Sequence, residues 1–545
     1  MNNLIRLKGP LNEKKNLSTP GQSTFSANRG TSVEKLISLK EDLQQLYIRW
    51  RDDKILEGAL VSVFYDRIVP KSKRIKTLLS KGSELSNNSI RGAKFSENGE
   101  KHIITHFVSL DTIKNNIEKL NTAIYIMNKC FGNYIDNEKL KTINDHKSII
   151  EKNNMSKSTF INIVTDACNV EKFGILDDAK NLTLDTIINL YEVGIPVENL
   201  MNKIGITNND YTKIDNNVIR FKNKRSLNIF TNNVSYLVSM STTDISQYNY
   251  YDCTSEILNC PTITIRDPKN EPVIGVIDTL FDQNVYFNKW VEYHDLVDEN
   301  IPKSSKDYEH GTSVTSIIVD GPSFNPQYED GCGNFKVRHF GVAVHGKNSS
   351  LTIIKNIERV VEENPDIHVW NLSLGSELEI NPNFISPEAA LIDRIQCEKN
   401  VIFVIAGTND NDDTLKKKIG SPADSINALV VNSLSFSGKI PSYARKGNVL
   451  SFFNKPDVSY YGGDKDGAFI TCVGTGAKPG IGTSYAAPWI SRKMSYLIDV
   501  MGLTREIAKA LIIDSATNWN YVNDENSKFI GFGKVPVHIN DIINL

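Results

Sequence analysis

The second half of the chain predicts an α/β fold, a mostly parallel sheet flanked by helices, and the first half predicts smaller α+β modules. Three observations carry this. Val273 to Ile277 and Val401 to Ala406 are nearly unbroken apolar runs of strand length, the pattern of strands buried on both faces. Apolar residues then recur at helical spacing, as Val314, Ile317 and Ile318 and again as Ala487, Ile490, Met494 and Leu497. Finally, 545 residues exceed what one hydrophobic core organises, so two or three domains are expected.

Residues 1 to 30, rich in Asn, Lys, Ser and Gly with Pro10 and Pro20, read as a flexible arm. Leu36, Leu39, Leu43, Leu46, Tyr47 and Trp50 then mark an amphipathic helix between Val33 and Leu56. The spacing that follows predicts a strand over Ala59 to Val69 and a short helix over Arg74 to Leu79. It continues with strands over Ser89 to Phe95 and Lys101 to Val108, and a helix over Asp111 to Ala123. This βαββα order is that of a ferredoxin-like sheet. A second mixed unit is expected from about Lys157 to Met240, helical over Leu182 to Leu190 and extended over Val218 to Phe221 and Val234 to Ser239. Asn208-Asn209-Asp210 and Asp215-Asn216-Asn217 mark its turns. The expected division is 1–56 (arm and helix), 57–130 (ferredoxin-like module), 131–250 (second module) and 251–545 (the parallel-sheet α/β domain).

Composition narrows the function classes. With 62 basic against 64 acidic residues the formal net charge is −2, which argues against a nucleic-acid partner. Lys71-Ser72-Lys73-Arg74-Ile75-Lys76, Lys222-Asn223-Lys224-Arg225 and Lys416-Lys417-Lys418 lack interleaved aromatics and read as solvated faces. No run approaches the roughly 18 apolar residues of a membrane span, and the first twenty residues hold no apolar leader core, so no membrane role and a cytoplasmic location are expected. Seven scattered cysteines without CxxC spacing read as reduced thiols. His102, His106 and His294 have no partner at ligand spacing. Asp295, Asp298 and Glu299 form no ordered calcium loop, so neither metal nor cofactor is expected.

The chemistry is concentrated in three segments that occur in the order Asp, His, Ser. They are Pro272-Val-Ile-Gly-Val-Ile-Asp278-Thr-Leu280, His310-Gly311-Thr312-Ser313, and Gly480-Ile-Gly482-Thr483-Ser484-Tyr-Ala486-Ala-Pro488. A serine hydroxyl is a poor nucleophile at neutral pH. It needs an imidazole to take its proton and a carboxylate to hold that imidazole's tautomer. Ser484, His310 and Asp278 are the candidates, with Asp278 at the end of a buried strand and the other two opening helices; Pro488 is expected near the first turn of the second helix.

Together these segments resemble the catalytic blocks of the subtilisin-like serine proteases, the subtilases, and the resemblance spans about residues 255–545. It implies a subtilisin-like fold and a serine endopeptidase that acts on peptides or proteins through an acyl-enzyme. By the same resemblance, Ser373-Leu374-Gly375 and Gly346-Lys347-Asn348 are the two strand edges that grip an extended substrate. Where subtilases carry Ala-Gly-Asn with an oxyanion-binding asparagine, this chain has Ala406-Gly407-Thr408-Asn409, so Asn409 is the chosen donor and Thr408 stays open. Leu280 stands where glycine is common, and Ser313 where a second histidine is usual. Many subtilase propeptides are ferredoxin-like, so the 57–130 module is either an inhibitor or chaperone of the catalytic domain or an accessory module with another task. A regulatory partner such as an ATPase is implied by analogy alone. The alternative from another function class is a binding or scaffold protein built on a protease fold.

Overall fold

The computed structural model describes residues 23–80, 86–176, 179, 182–184, 186–243, 263–344, 350–410, 417–450, 452–474, 476–517 and 525–544. The chain forms two units that divide near residue 241.

In the first unit Ser32 caps the helix Val33–Arg51 by accepting from the Lys35 amide at 3.2 Å. Leu36, Leu39, Leu43, Leu46 and Trp50 form its buried stripe, as the periodicity predicts. An antiparallel sheet runs in the order Ile90–Phe95, His102–Val108, Ala59–Tyr65, Val170–Gly174. That is the ferredoxin-like strand order, with two differences from the expectation. The segment 74–79 is not helical: Asp166 accepts from the amides of Lys76, Thr77 and Leu78 at 2.9, 2.8 and 3.1 Å, which holds the backbone in an irregular loop. The fourth strand comes from beyond residue 130, because the free edge of Ala59–Tyr65 is paired by Val170–Gly174. The 57–130 segment is therefore not closed by itself; Val33–Arg51 and Val170–Gly174 share its core.

A second four-stranded sheet has the order Val238–Thr243, Thr186–Leu190, Val218–Phe221, Tyr211–Asp215. The helix expected over 182–190 is instead the strand Thr186–Leu190. Its apolar residues satisfy either period over so short a run, and sheet pairing decides. Residues 234–239 likewise divide into a helix end, a 3-10 turn at Ser235–Leu237 and the strand start.

The second unit is built on seven parallel strands. In chain order they are β1 (Val273–Thr279), β2 (Val291–Asp295), β3 (Lys336–Ala343), β4 (Val369–Leu372), β5 (Ile402–Ala406), β6 (Leu429–Leu434) and β7 (Val458–Tyr461). The sheet order is β2-β3-β1-β4-β5-β6-β7. Side chains alternate strictly: Ile274, Val276, Val369, Val404 and Val431 enter one core layer, and Ile277, Trp370, Phe403 and Val430 the other. Helices α1 (Glu309–Phe324) and α4 (Thr483–Ser495) cover the first face. Helices α2 (Ser350–Glu363) and α3 (Pro387–Lys399) cover the second. Gly275 is glycine because a Cβ there would lie 2.3 Å from the Trp370 ring on the neighbouring strand.

Strand order reverses at β1, with β3 to one side and β4 to the other. Open parallel sheets present ligand-binding crevices at the carboxyl ends of strands flanking such a switch.

Candidate active site

Asp278 ends β1, fully buried, and its Oδ1 lies 2.6 Å from His310 Nδ1. The same oxygen accepts from the Thr279 amide at 2.7 Å. An ionised carboxylate only accepts hydrogen bonds, so Nδ1 carries the proton and Nε2 is left with the lone pair a general base requires.

Each residue around His310 has a local reason. Gly311 has no room for a side chain, since a Cβ would meet the Thr279 and Leu280 carbonyls at 2.6 and 2.7 Å. Its amide donates to Thr279 Oγ1 at 2.9 Å, and Thr312 Oγ1 accepts from the Asp282 amide at 2.8 Å. The start of α1 is thereby stitched to the end of β1. The two departures from the family strings are absorbed by packing. Leu280 is buried against Val297 and Val344, and Ser313 Oγ accepts from Thr471 Oγ1 at 3.0 Å, facing the hairpin β8 (Phe469–Val473) and β9 (Gly476–Gly480).

Ser484 is the second residue of α4, so its amide has no partner within the helix. Its Oγ donates to the Ser373 carbonyl at 3.3 Å. Pro488 lies inside the helix rather than in its first turn, and this placement corrects the sequence expectation. Lacking an N–H, Pro488 leaves the Ser484 carbonyl unclaimed by the helix, and Ser373 Oγ donates to it at 3.4 Å. Ser373 is held in turn by Asn371 Nδ2 at 3.0 Å, and Asn371 Oδ1 accepts from Ser491 Oγ at 2.9 Å. This buried relay anchors the turn that carries Ser484 to β4.

Thr408 and Asn409 follow β5 and have different surroundings. Thr408 takes the left-handed conformation, φ +66°, and its hydroxyl donates to the Gly407 carbonyl at 2.6 Å while accepting from the Gly420 amide at 2.9 Å. Asn409 Oδ1 accepts from both the amide and the hydroxyl of Thr483, at 3.1 and 3.0 Å. Its Nδ2 lies at the start of α4, 2.9 Å from where a Cβ on Gly482 would stand, and Gly482 itself has φ +139°.

A cleft beside Ser484 is lined by Ser373, Leu374, Gly375, Glu377, Thr408 and Asn409, among others. The buried Arg445 fixes one wall by donating to the Ser376 and Glu377 carbonyls at 3.3 and 2.9 Å. Of the expected substrate-gripping residues, Ser373, Leu374 and Gly375 are brought to the nucleophile, while Gly346, Lys347 and Asn348 lie outside the described residues.

Sequence reasoning missed His339. It is fully buried on β3, with Nε2 2.7 Å from the Thr279 carbonyl and Nδ1 2.8 Å from Thr315 Oγ1. The carbonyl demands a proton on Nε2, so this ring is the neutral tautomer, and burial pushes its pKa down to about 4. Asn371 and Ser491 were missed as anchors for the same reason: a single polar residue in an apolar strand or helix has no sequence signature. Among the described residues no group of three or more His, Cys, Asp or Glu side chains converges as metal ligands would.

Asp278 and His310 pair at the carboxyl edge of the parallel sheet, and the ring of Tyr485, next to Ser484, lies 6.0 Å from that of His310; these are the residue types that a serine hydrolase uses. The profile of the Subtilase family matches residues 269–533, and this region is that of a subtilisin-like serine endopeptidase. Among solved structures, it is similar to the epidermin leader peptide processing serine protease EpiP from Staphylococcus aureus. That alignment is 17% identical, covers 66% of this chain and 98% of that one, and has a TM-score of 0.47. It is also similar to the prenylagaramide maturation protease PagA, at 20% identity, with 51% and 94% covered and a TM-score of 0.38. No curated protein matches the chain.

Proposed function

We propose that the chain cleaves peptide bonds with Ser484 as nucleophile, His310 as general base and acid, Asp278 as the orienting carboxylate and Asn409 as oxyanion donor. The observation that carries this reading is the 2.6 Å contact between Asp278 and His310 Nδ1, buried at the carboxyl end of β1. Ser484 Oγ attacks the carbonyl carbon while its proton passes to His310 Nε2. The oxyanion receives Asn409 Nδ2–H and the Ser484 amide, and the imidazolium returns the proton to the leaving amine. Water then repeats the sequence on the acyl-enzyme, restoring Ser484. Thr408 is not chosen as donor, because its hydroxyl proton is committed to the Gly407 carbonyl.

We further infer that the first unit restrains or directs this activity, with a regulatory protein such as an ATPase as the other source of control. A reducing, cytoplasmic location accords with five described cysteines that form no disulfide. Among the described residues no helix is long and apolar enough to cross a membrane.

Fluorophosphonate labelling of the full chain tests the assignment. Ser484 is expected to be the labelled residue, with labelling lost in Ser484→Ala and slowed severely in His310→Ala. On a cleaved peptide, Asn409→Ala is expected to lower kcat by about 10²–10³ with KM nearly unchanged, the range known for subtilisin oxyanion donors. Labelling that survives Ser484→Ala removes the nucleophile from this role.

A further inference from the structure

We propose that Thr408 sets the size of the residue whose carbonyl is attacked, its methyl group closing the cleft beside Ser484 so that small side chains are preferred. The inference rests on the protease reading and deepens it by naming a substrate class.

The cleft is bordered by both the nucleophile Ser484 and the donor Asn409. A carbonyl held between those two groups brings its own residue beside this cleft, which that residue's side chain is proposed to occupy. The walls are made largely of short residues. Gly375 and Ser376 stand on one side and Ala406 at the end of β5, too short to fill the space between the walls, while Leu374 and Glu377 are the longer lining residues. Thr408 crosses it. Its Cγ2 lies 2.4 Å from where a Cβ on Gly375 would stand, so the methyl is seated directly on the opposite wall.

That methyl cannot swing aside. The hydroxyl of the same side chain is held at both ends, donating to the Gly407 carbonyl at 2.6 Å and accepting from the Gly420 amide at 2.9 Å. These bonds fix χ1, and so they fix Cγ2 as well. Gly420 is itself immovable, since even a Cβ there would collide with the Ser376 carbonyl at 2.0 Å, and the Ser376 amide donates to the Ser421 carbonyl at 2.7 Å. The left-handed backbone at Thr408 is a conformation that β-branched residues very rarely adopt, and strain of this kind persists where the surroundings over-determine it. The extra residue between Gly407 and Asn409 is thus a built feature of the cleft.

The test compares peptides, and matching peptidyl phosphonates that label Ser484, that differ only in Ala or Phe at the residue supplying the carbonyl. Thr408→Ser keeps both hydroxyl bonds and removes only the methyl. Thr408→Gly removes the whole side chain and is at ease with a positive φ. Wild type is expected to favour Ala. The Phe-to-Ala ratio of kcat/KM, and of labelling rates, is expected to rise about tenfold or more in Thr408→Ser, since one methyl-sized group in a pocket discriminates by about 10–200-fold. A rise in Thr408→Gly as well supports the same conclusion. A ratio unchanged in both variants, or a wild type that favours Phe, overturns the proposal while leaving the protease reading intact. Wild-type chain that neither cleaves nor labels at Ser484 overturns the underlying reading and the proposal with it.

Discussion

His339 lies directly beneath the Asp278–His310 pair and titrates unlike an exposed histidine. Burial holds its pKa near 4, against 6.5 for the free side chain, and the ring donates to Thr279 and accepts from Thr315 only while neutral. Between those two values the unfolded chain binds a proton that the folded chain refuses. Stability is therefore full above about pH 6.5 and is lost as pH falls toward 4, by on the order of 2–4 kcal/mol from this one group. His339→Gln, whose amide can serve the same two partners without titrating, is expected to flatten the dependence. The check is the urea midpoint of wild type and variant at pH 7 and pH 4.5; equal losses in both would show that His339 is not the cause. At this scale the sequence was legible where a residue type is demanded by its immediate neighbours. Gly482 is such a position, since its own φ is positive. It was silent at His339, whose partners come from β1 and α1.

At the scale of elements, the helix that carries Ser484 must keep station against the one that carries His310. Arg492 of α4 does this from a fully buried position. Its Nε and Nη2 pair with Asp330 at 2.7 and 2.8 Å, and its Nη1 donates to the Ile318 carbonyl of α1 at 2.7 Å. Burial alone would raise the Asp330 carboxyl, but Arg492 and Lys493 outweigh it and hold it well below the usual carboxylate range. Removing one partner strands the other charge out of water. Asp330→Ala is accordingly expected to cost about 3–5 kcal/mol in urea unfolding. Asp330→Leu combined with Arg492→Met should cost clearly less than the sum of the single changes, because the pair's desolvation is relieved together. Simple additivity in the double-mutant cycle would deny the coupling. The helix spacing around His310 and Ser484 was legible from the apolar period, but this tie was not, since residues 330 and 492 share no local pattern.

For the whole molecule, the open matter is what the first unit does to the second. The ferredoxin-like sheet with its borrowed fourth strand sets the smallest piece that can be tested, because 57–130 lacks Val170–Gly174 and the helix Val33–Arg51 that complete its core. Residues 23–241 added to a 242–545 fragment are expected to inhibit peptide hydrolysis in a dose-dependent way. An unchanged rate on a good peptide would rule out restraint by this unit. Where the fragment is insoluble alone, recovery of soluble catalytic unit only on co-expression is the expected sign of an intramolecular chaperone.

The sequence alone pointed to the class of the catalytic unit, which the family profile matches, and it offered Asp278, His310 and Ser484 as the candidates for the reacting residues. Their strings carry local signals: an apolar strand run ending at Asp278, apolar residues at helical spacing after His310, and a glycine-entered helix for Ser484. Tertiary structure decided what depends on groups distant along the chain. Asn409 is the donor chosen from sequence with Thr408 left open, and their different surroundings come from partners distant in the chain, Gly420 12 residues on for Thr408 and Thr483 74 residues on for Asn409. The same holds for Thr186–Leu190, whose short apolar run fits helix or strand until neighbouring strands claim it. A side chain's role is written locally when its own backbone imposes it, and it is settled by the fold when the partner that fixes it arrives from elsewhere.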